Sequence, residues 1–384
     1  MNVNVIGAGP AGLYFSYLLK RRRPEARIRV VEQNPAEATF GFGVVFSDRA
    51  LEFLSGDDPE TYGLITPRME SWSDITLDLD SETVRIDGIG FSAVGRLELL
   101  ELLRERAESV GIRVEYERTI ASLEELAGAD LLVAADGVNS FVRRANEAAF
   151  GASVTLLKNK FIWYGTRKRF ETLTQTFRRN EHGVFNAHHY RYSPEMSTFI
   201  VETDESSWAR AGFAAMGPDD TRVYCERLFA NALDGHELVS NKSIWRNFPR
   251  VKNERWSAGN MVLVGDALHT AHFSIGSGTR LAMEDAITLV AALDRHPRDI
   301  REALESYEAT RRPIVEKLIA AADKSAAWYE RFREHMSLDP FDFAMSYITR
   351  SGRVAPDRLR RISPRFMSAY EAVMHRIATG ANRD

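Results

Sequence analysis

The chain has 384 residues, of which 44% are hydrophobic and 27% charged, a composition typical of a globular protein with two or three domains. The formal net charge of −4 gives no reason to expect nucleic-acid binding. The single cysteine, Cys225, excludes an internal disulfide and a cysteine-based metal site, and it favours a reducing, cytoplasmic location.

The chain opens on a predicted strand–turn–helix–strand unit. An apolar strand over residues 3–6 leads into a glycine-rich turn, a helix follows over 11–20, and a strand over 27–32 ends in Glu32. No basic segment precedes the first strand, and no apolar run approaches the ~20 residues that cross a bilayer. We therefore expect neither a signal peptide nor a membrane segment.

The turn carries a dinucleotide-binding fingerprint, G-x-G-x-x-G. Gly7 permits a tight turn, Gly9 lets backbone N–H groups approach a pyrophosphate, and Gly12 lets the helix pack on the sheet. The start of the helix favours phosphate charge, and the acid at residue 32 can accept hydrogen bonds from ribose hydroxyls. The expected cofactor contacts in this unit are Gly7, Gly9, Pro10, Ala11, Gly12, Glu32 and Gln33.

The middle of the chain changes its pattern twice. A glycine-punctuated apolar loop over 40–46 contains Val44, a further expected cofactor contact. Strands over 72–79 and 83–86, a helix over 96–108 and strands over 112–117 and 129–135 follow. Residues 160–202 then predict an antiparallel sheet rich in aromatic side chains. A buried strand over 261–264, a helix over 281–293 and a long helix over 301–332 come next. Pro313 is expected to kink or end that helix, and a basic stretch over 353–365 precedes a last short helix.

A second glycine-rich segment distinguishes the cofactor. Asp136-Gly137 and Gly265-Asp266 each follow a buried strand, where an acid can fix a ribitol or ribose hydroxyl. Bare N–H groups before a helix can contact a flavin pyrimidine ring and stabilise its reduced, anionic form. The residues expected to do this are Gly276, Ser277, Gly278 and Thr279. The two segments together predict one FAD that is held from both ends.

These motifs, in this order, resemble the class A flavoprotein monooxygenases, the p-hydroxybenzoate hydroxylase superfamily. The resemblance implies an α/β fold with a Rossmann-like FAD-binding domain of the GR2 type, an antiparallel-sheet substrate domain and C-terminal helices. It also matches Arg96 to a helix arginine that touches FAD in the family. The chain departs from the family around the second glycine pair, where Phe273 to Ile275 and Thr279-Arg280 replace the usual proline and asparagine.

We expect three regions on this basis. The FAD-binding domain comprises residues 1–71, 91–155 and 250–295, and the substrate domain comprises residues 72–90 and 156–249. Residues 296–384 form a helical C-terminal region.

Within the superfamily, residues 42–48 and 269–279 resemble salicylyl-CoA 5-hydroxylases and the monooxygenase half of anthraniloyl-CoA enzymes. Residues 163–166, 196–202 and 245–248 also resemble the violacein-pathway hydroxylase of a tryptophan derivative. The resemblance implies a ring hydroxylase in which NADH or NADPH reduces FAD and O2 reacts through a flavin C4a-hydroperoxide. The expected substrate is an aryl-CoA, and the first candidate reaction is the 5-hydroxylation of salicylyl-CoA to gentisyl-CoA. The alternative substrates are anthraniloyl-CoA and an indole- or tryptophan-derived intermediate. The alternative classes of protein are a flavin reductase of the geranylgeranyl-reductase type and a non-catalytic binding module.

The resemblance places the substrate beside the aromatic sheet. His188, Tyr164 and His272 are the candidate catalytic residues, since a histidine whose pKa lies in the working range can hydrogen-bond or deprotonate a phenol. The candidate substrate contacts are Trp163, Tyr190 and Phe273. The competing interpretation is that any of these six is a core residue. No metal is required.

A CoA thioester would need cations for its phosphates. The candidates are Arg167, Lys168, Arg169, Arg178, Arg179, Arg358, Arg360 and Arg361, each of which can equally form a solvated basic face. No second G-x-G-x-x-G is present, so the nicotinamide is expected to bind transiently. The sequence predicts no oligomeric state.

Overall fold

The computed structural model describes residues 1–39, 41–47, 51–80 and 82–379. Phe40 of the apolar loop and Asp48 of the segment 42–48 lie outside these residues, as do residues 380–384 of the C-terminal region. No helix among the described residues has the length and apolar character that a membrane crossing needs.

The strands are numbered in chain order. They are β1 (Asn2–Ile6), β2 (Arg27–Val31), β3 (Gly43–Ser47), β4 (Glu70–Trp72), β5 (Ile75–Asp78), β6 (Thr83–Ile86), β7 (Phe91–Gly95), β8 (Val114–Glu115), β9 (Leu131–Ala134), β10 (Ala152–Thr166), β11 (Leu173–Asn180), β12 (Gly183–Arg191), β13 (Ser197–Thr203), β14 (Leu238–Ser240), β15 (Arg246–Asn253), β16 (Ser257–Ala258) and β17 (Met261–Leu263).

The α-helices are numbered in the same way. They are α1 (Pro10–Arg22), α2 (Glu52–Asp57), α3 (Pro59–Ile65), α4 (Arg96–Ser109), α5 (Phe141–Ala145), α6 (Glu147–Phe150), α7 (Glu205–Arg210), α8 (Pro218–Leu228), α9 (Ala230–Leu233), α10 (Gly278–Arg295), α11 (Ile300–Tyr329), α12 (Phe332–His335), α13 (Pro340–Thr349), α14 (Pro356–Ile362) and α15 (Pro364–Thr379). Short 3₁₀ turns occupy Thr66–Arg68, Leu123–Leu126, Gly265–Ala267 and Phe273–Ile275.

The first sheet has six strands in the order β16-β17-β9-β1-β2-β8, and all neighbours except β16 and β17 are parallel. Its central strands are short and apolar, and the helices α1, α4 and α10 bury them. The carboxyl ends of β1, β2, β9 and β17 therefore meet at one edge, which is where doubly wound sheets bind ligands. The α/β fold class predicted from the sequence is confirmed.

The second sheet has eight strands. Its main path runs β14-β10-β13-β12-β11-β5-β6, and β15 pairs with the other part of β10. All pairs are antiparallel except β5 with β11. One face packs on α7, α8 and α9, and part of the other face packs on the C-terminal helices. The strands β10 and β15 run across the domain boundaries expected at residues 155 and 249, and the boundaries themselves stay a prediction.

A third, three-stranded sheet has the order β3-β7-β4. Gly43 of β3 donates its N–H to the Thr198 hydroxyl at 2.8 Å, and Tyr190 donates its hydroxyl to the Gly43 carbonyl at 3.0 Å. These bonds attach the apolar glycine loop to the second sheet.

Two local predictions need correction, and the structure adds to a third. The helix α11 does not end at Pro313, because buried Tyr307 and Val315 hold both halves of the helix against the core. The strand expected over 112–117 is reduced to β8, since Glu117 takes a positive φ of 56°. The basic stretch over 353–365 contains α14, which buries Leu359 completely.

A buried ionic network ties the turn after β17 to α10 and α11. Asp285 accepts hydrogen bonds from the Gly265 N–H at 3.0 Å, from His269 Nε2 at 2.9 Å and from Arg311 Nε at 2.8 Å. Burial raises the pKa of Asp285, but His269 and Arg311 more than offset this and hold the pKa below its ordinary value of 3.8. The network stabilises the fold while the carboxylate is charged.

Replacing Asp285 tests this network. Asp285→Asn should lower the free energy of unfolding at neutral pH by about 3 kcal/mol, since it removes one of the two acidic partners of buried Arg311 and leaves only Glu284 at 2.8 Å. The folded-state pKa is depressed, so the contribution is full above about pH 4 and is lost as the pH falls through the folded-state value. Urea unfolding of both proteins at pH 7 and at acid pH should therefore show a gap that narrows on acidification.

Asp294→Asn is the matched control on the same helix, because Asp294 forms a half-exposed ion pair with Arg22 at 2.7 Å. Its effect should stay below about 1 kcal/mol. Equal losses in the two variants would contradict the account.

Candidate functional site

The glycine turn has the geometry that its spacing predicts. Gly7 adopts a φ of +100°, and a Cβ on Gly12 would stand 2.0 Å from the Gly7 carbonyl oxygen, so a larger residue cannot enter at either position without displacing backbone. A Cβ on Gly9, in contrast, would meet nothing within 4 Å. The space beside Gly9, at the start of α1, is thus open to a ligand.

Glu32 follows β2 at the neighbouring strand end. One carboxylate oxygen accepts the Ala8 N–H at 2.9 Å, and the other accepts the Asn34 N–H at 2.9 Å and the Asn34 side-chain amide at 2.7 Å. These bonds fix the carboxylate beside the glycine turn.

A cleft of about 340 Å³ runs along this edge of the sheet. It brings together eight of the cofactor contacts expected from the sequence, which are Gly7, Gly9, Pro10, Glu32, Gln33, Arg96, Asp136 and Gly137. Ala11 and Gly12 lie behind it, buried in the first turn of α1.

Asp136 follows β9 and faces the cleft. Its Oδ2 accepts the N–H groups of Phe141 and Val142 at 2.7 and 3.2 Å, whereas its buried Oδ1 has no hydrogen-bond partner among the described residues. Burial raises the pKa of Asp136. An orphaned buried carboxylate oxygen is costly unless a ligand pairs with it, and a hydroxyl group of a bound nucleotide would do so.

Arg96 connects the two halves of the site. Burial lowers the pKa of Arg96, whereas the charges of Asp266 and of the Tyr190 phenol raise it. Both groups therefore lie near the guanidinium. No hydrogen bond to the guanidinium occurs within the part of the chain that the structure describes. Burial likewise raises the pKa of Asp266, with Arg96 and His269 opposing it, although the side chain stays accessible. Asp266 therefore lies near a cation whose donors, unbonded within the described residues, can bind phosphate.

The second glycine segment approaches the same space. Gly276 has a φ of +58°, and a Cβ there would stand 3.0 Å from the Val45 side chain, next to the predicted contact Val44. Gly278 begins α10 and would meet nothing within 4 Å. Ser277 precedes it as the buried N-cap residue, and Thr279 lies in the first turn. A cofactor atom beside Gly278 would therefore face the positive end of a helix of eighteen residues.

These residues fit FAD. The orphaned oxygen of Asp136, the unbonded guanidinium of Arg96 and the open positions beside Gly9 and Gly278 are the groups that a dinucleotide with a flavin would satisfy. Gly265 joins the two halves, since a Cβ there would stand 3.2 Å from the Ala11 side chain.

The register of the second sheet divides the candidate substrate residues between its two faces. Trp163 pairs with Ile200, which pairs with His188, and Tyr190 lies two residues further along β12, so these three side chains share one face. Tyr164 pairs with Phe199 on the opposite face, where it packs near Cys225 and α8. Its buried hydroxyl has no partner among the described residues. The structure does not bring Tyr164 together with His188, and Tyr164 is not part of the site that we propose.

Two residues on the His188 face also hold the apolar loop. The ring of Trp163 lies against Gly41, where a Cβ would approach it to 2.7 Å. Tyr190 stacks on Trp72 with ring centroids 5.9 Å apart and donates its hydroxyl hydrogen to the Gly43 carbonyl. Both therefore shape the wall of the site, and Tyr190 has no free donor for a substrate.

A cluster of aromatic side chains lies between this face and residues 272–279, which we call the flavin loop after their predicted role. Phe273 packs against Phe161, His188 and Phe248 with ring centroids 5.1, 6.4 and 6.1 Å apart, and His272 packs against Phe273 and Phe248 at 4.2 and 4.9 Å. We use the name aromatic chamber for these five residues. His188, His272 and Phe273 of the sequence prediction thus come together.

The electrostatics of His188 differ from the expectation. Burial and the charge of Arg350 lower the pKa of His188 to about 3, and neither ring nitrogen has a hydrogen-bond partner among the described residues. The pKa of His188 does not lie in the working range, because an imidazolium would be desolvated beside another cation. The low pKa favours a neutral His188, which can still form hydrogen bonds through its ring nitrogens.

Sequence reasoning missed several residues around the chamber. Phe161 and Phe248 are part of its wall, and Arg350 reaches the loop from the C-terminal helices by donating to the Ser274 carbonyl at 2.9 Å. Glu202 lies on the His188 face, and burial raises its pKa to about 8. Alternation along β10 and β13 could have indicated Phe161 and Glu202, but no local pattern marks Arg350.

Three of the candidate phosphate-binding cations are paired with acids. Lys168 pairs with Asp234 at 2.7 Å, Arg178 with Asp78 at 2.6 Å and Arg360 with Glu371 at 2.9 Å. Arg358 differs, because its charge and that of Arg280 both act on Arg353, whose pKa is lowered by burial and by these two cations.

The chain is similar to several proteins that are named as hydroxylases or monooxygenases. The chain is 44% identical to the Salicyloyl-CoA 5-hydroxylase of Streptomyces sp over 361 residues, which cover 91% of this chain and 70% of the relative. It is 37% identical to the 3-hydroxy-4-methyl-anthranilyl-[aryl-carrier protein] 5-monooxygenase of Streptosporangium sibiricum, with 86% and 90% covered. It is 36% identical to the Protodeoxyviolaceinate monooxygenase of Chromobacterium violaceum, with 93% and 96% covered. These relatives favour oxygen insertion over the reductase chemistry that the sequence left open.

Solved structures show the same fold. The crystal structure of 2-methyl-3-hydroxypyridine-5-carboxylic acid oxygenase superposes with a TM-score of 0.71 at 18% identity, covering 94% of this chain and 96% of that one.

Asp266 offers a direct test of the cofactor site. Asp266→Ala should raise the dissociation constant for FAD about 10- to 100-fold, the range expected when a hydrogen bond to a charged group is lost. Titration of the apoprotein with FAD, followed by flavin fluorescence, measures the change. Asp234→Ala, which removes an exposed carboxylate, should bind FAD normally. Full FAD occupancy in Asp266→Ala at wild-type affinity would exclude this role.

The family assignment follows from the whole set of observations. Residues 124–322 match the family model described as FAD binding domain, and the relatives match over most of the chain. The cleft, the aromatic chamber and these similarities agree with the motifs in the sequence. The chain belongs to the class A flavoprotein monooxygenases, as an FAD-dependent aromatic hydroxylase that uses NAD(P)H and O2.

Proposed function

We propose that the protein hydroxylates the ring of an aryl-CoA thioester, with salicylyl-CoA and its 5-hydroxylation to gentisyl-CoA as the first candidate. The observation that supports this most is the identity with a relative named for that reaction. The two histidines and three phenylalanines of the aromatic chamber suit a flat, partly polar ring.

The chain's own residues have two tasks in this reaction. FAD, when bound, takes electrons from NAD(P)H and activates O2. Phe161, Phe248 and Phe273 exclude water from the ring and hold it in place. Neutral His188 accepts a hydrogen bond from the ring hydroxyl, which keeps electron density on the carbon that is attacked.

A cationic group beside the flavin loop supports a CoA thioester. Arg280 lies in the first turn of α10, and its charge and that of Arg358 act on Arg353. The Nζ of Lys324 lies 3.6 Å from where a Cβ on Gly352 would stand, next to Arg353. Arg353, Arg358 and Lys324 have no acidic partner within the described ranges of the chain. Such uncompensated cations bind phosphate groups well.

The second candidate is an amino-substituted or indole substrate. One relative is named for an anthranilyl group on an aryl-carrier protein and another for protodeoxyviolaceinate. An amino group activates a ring as a hydroxyl does, and neutral His188 can hydrogen-bond either. Anthraniloyl-CoA and indole-derived intermediates therefore belong in the same test.

We also propose a cytoplasmic location. NAD(P)H is supplied there, and the buried thiol of Cys225 needs no oxidising environment.

A substrate screen tests the proposed function. Aromatic acids and their CoA thioesters, including salicylate, anthranilate and indole acids, are compared for stimulated NADH or NADPH oxidation with O2 uptake. We expect salicylyl-CoA to stimulate oxidation most and to give a product one oxygen heavier by mass. Equal stimulation by free salicylate would contradict the thioester assignment.

The variant Arg353→Glu adds a structural control to this screen. It should raise KM for the CoA thioester about 10- to 100-fold with little change for a free acid, because a charged contact to phosphate is replaced by repulsion. Arg179→Glu changes an exposed arginine on β11 and should leave both KM values unaltered.

Replacing His188 tests the role of the chamber. His188→Phe should leave reduction of FAD by NAD(P)H intact and lower the amount of product formed per NADH, since the ring hydroxyl loses its acceptor. His188→Gln retains a hydrogen-bonding group and should preserve more of the coupling. Oxygen uptake, peroxide and product are measured together. Unchanged coupling in His188→Phe would return this residue to a structural role.

A further inference from the structure

A chain of hydrogen bonds runs from the aromatic chamber into the C-terminal helices. His272 Nδ1 lies 2.8 Å from the Ser274 hydroxyl, which lies 2.8 Å from the Ser325 hydroxyl of α11. Arg350, the residue after α13, donates from Nε to the Ser325 hydroxyl at 3.0 Å. His272, Ser274 and Ser325 are buried. We call these four residues the His272 relay.

The direction of the relay follows from its far end. A guanidinium N–H can only donate, so the Ser325 oxygen accepts from Arg350. The Ser325 hydroxyl has no other acceptor among the described residues, so its hydrogen goes to the Ser274 oxygen. The Ser274 hydrogen is then left for His272 Nδ1.

A second donor reaches the same nitrogen. The backbone N–H of Ser274 points to His272 Nδ1 at 3.4 Å, as an N-cap contact of the 3₁₀ turn. Two donors that converge on Nδ1 require its lone pair, so Nδ1 carries no hydrogen. Burial, His188 and Arg350 lower the pKa of His272 to about 3, which keeps the ring neutral. A neutral ring without a hydrogen on Nδ1 carries it on Nε2.

Arg350 is held firmly at the start of the relay. Its guanidinium donates to the Tyr347 carbonyl at 2.6 Å and to the Ser274 carbonyl at 2.9 Å, and it lies 3.8 Å from the centroid of the Tyr347 ring. The donor that sets the direction therefore cannot turn away without breaking several contacts.

We propose that the His272 relay fixes His272 as the Nε2–H tautomer, and that this N–H donates to the acyl carbonyl oxygen of the aromatic substrate. Ser274, Ser325 and Arg350 are then positioning residues. Nε2 has no hydrogen bond to any described residue, while the ring lies in the aromatic chamber between Phe248 and Phe273.

The acceptor follows from the chemistry of the ring. A donor bonded to the activating hydroxyl would withdraw electron density from a ring that must stay electron-rich. A donor bonded to the acyl carbonyl orients the substrate without that loss. The two histidines thus bind different groups of the substrate. His188 accepts a hydrogen bond from the ring hydroxyl, and His272 donates one to the acyl carbonyl. This second half of the proposal rests on the proposed function.

Nitrogen NMR reads the tautomer without any turnover. The holoenzyme is prepared with ¹⁵N-labelled histidine, and the His272 signals are assigned by their loss in His272→Gln. We expect a protonated, pyrrole-type Nε2 and an unprotonated, pyridine-type Nδ1 at neutral pH in the wild-type protein. A hydrogen on Nδ1 would overturn the proposal, whatever the substrate is.

Variants of the relay extend this test. Ser325→Ala removes the link to Arg350, so the Ser274 hydroxyl no longer has a fixed direction, while the Ser274 N–H still points to Nδ1. Both nitrogens should therefore shift part of the way toward the average of the two tautomers. Arg350→Lys keeps the charge but replaces the fixed Nε donor, and it should give a similar shift if Ser325→Ala does not fold. Ser346→Ala, which removes a partner of Trp328 on the same helices, should leave the His272 signals in place. Unchanged signals in both relay variants would overturn the proposal.

Kinetics tests the substrate half separately. Ser325→Ala should raise KM for the aryl thioester about tenfold, as expected for one weakened hydrogen bond, and it should leave the FAD dissociation constant unaltered. An unchanged KM in a protein whose tautomer has shifted would exclude the contact to the carbonyl. If no aryl thioester is turned over by the wild-type protein, the proposed function fails while the NMR result still decides the tautomer.

Discussion

The carboxylate of Asp285 is the interaction on which the position of the site depends. It is completely buried, and it is stable there because Arg311, His269 and a backbone N–H surround it. These bonds fix the turn that leaves β17 and the start of the segment that returns to α10. Asp266 faces Arg96 because the residue before it is held in this way. An uncompensated charge at the same place would cost several kcal/mol, so the buried carboxylate depends on these partners.

The parallel sheet explains why distant segments share one cofactor. Strands that run in the same direction end at the same edge, so the turns after β1, β2, β9 and β17 become neighbours. The turn after β9 carries the Asp136 oxygen, which has no hydrogen-bond partner among the described residues, and the Arg96 guanidinium at the start of α4 is likewise unbonded there. The second sheet contributes Phe161, His188 and Phe248 to the aromatic chamber, and the segment before α10 contributes His272 and Phe273.

Local signals made the nucleotide half predictable. Gly7, Gly9 and Gly12 are constrained by backbone geometry within a single turn, and the acids at strand ends follow directly from the apolar strands before them. The side of the sheet that Tyr164 faces could not be predicted as readily, because a shift of one residue reverses the face of every side chain in a strand. Arg350 lies 76 residues from the serine to which it donates, and only tertiary packing brings the two together. Burial also lowered the pKa of His188. The sequence gives the type of this residue but not the groups that surround it.

The central claim is that this chain uses FAD in its cleft to place an oxygen atom from O2 on an aromatic ring in the adjoining chamber. Turnover of salicylyl-CoA under oxygen-18 gas measures this most directly. The account predicts a product that carries one heavy oxygen on the ring, and no label when the heavy isotope is supplied in water. A product labelled from water, or NAD(P)H oxidation that reduces the substrate without oxygen uptake, would contradict it.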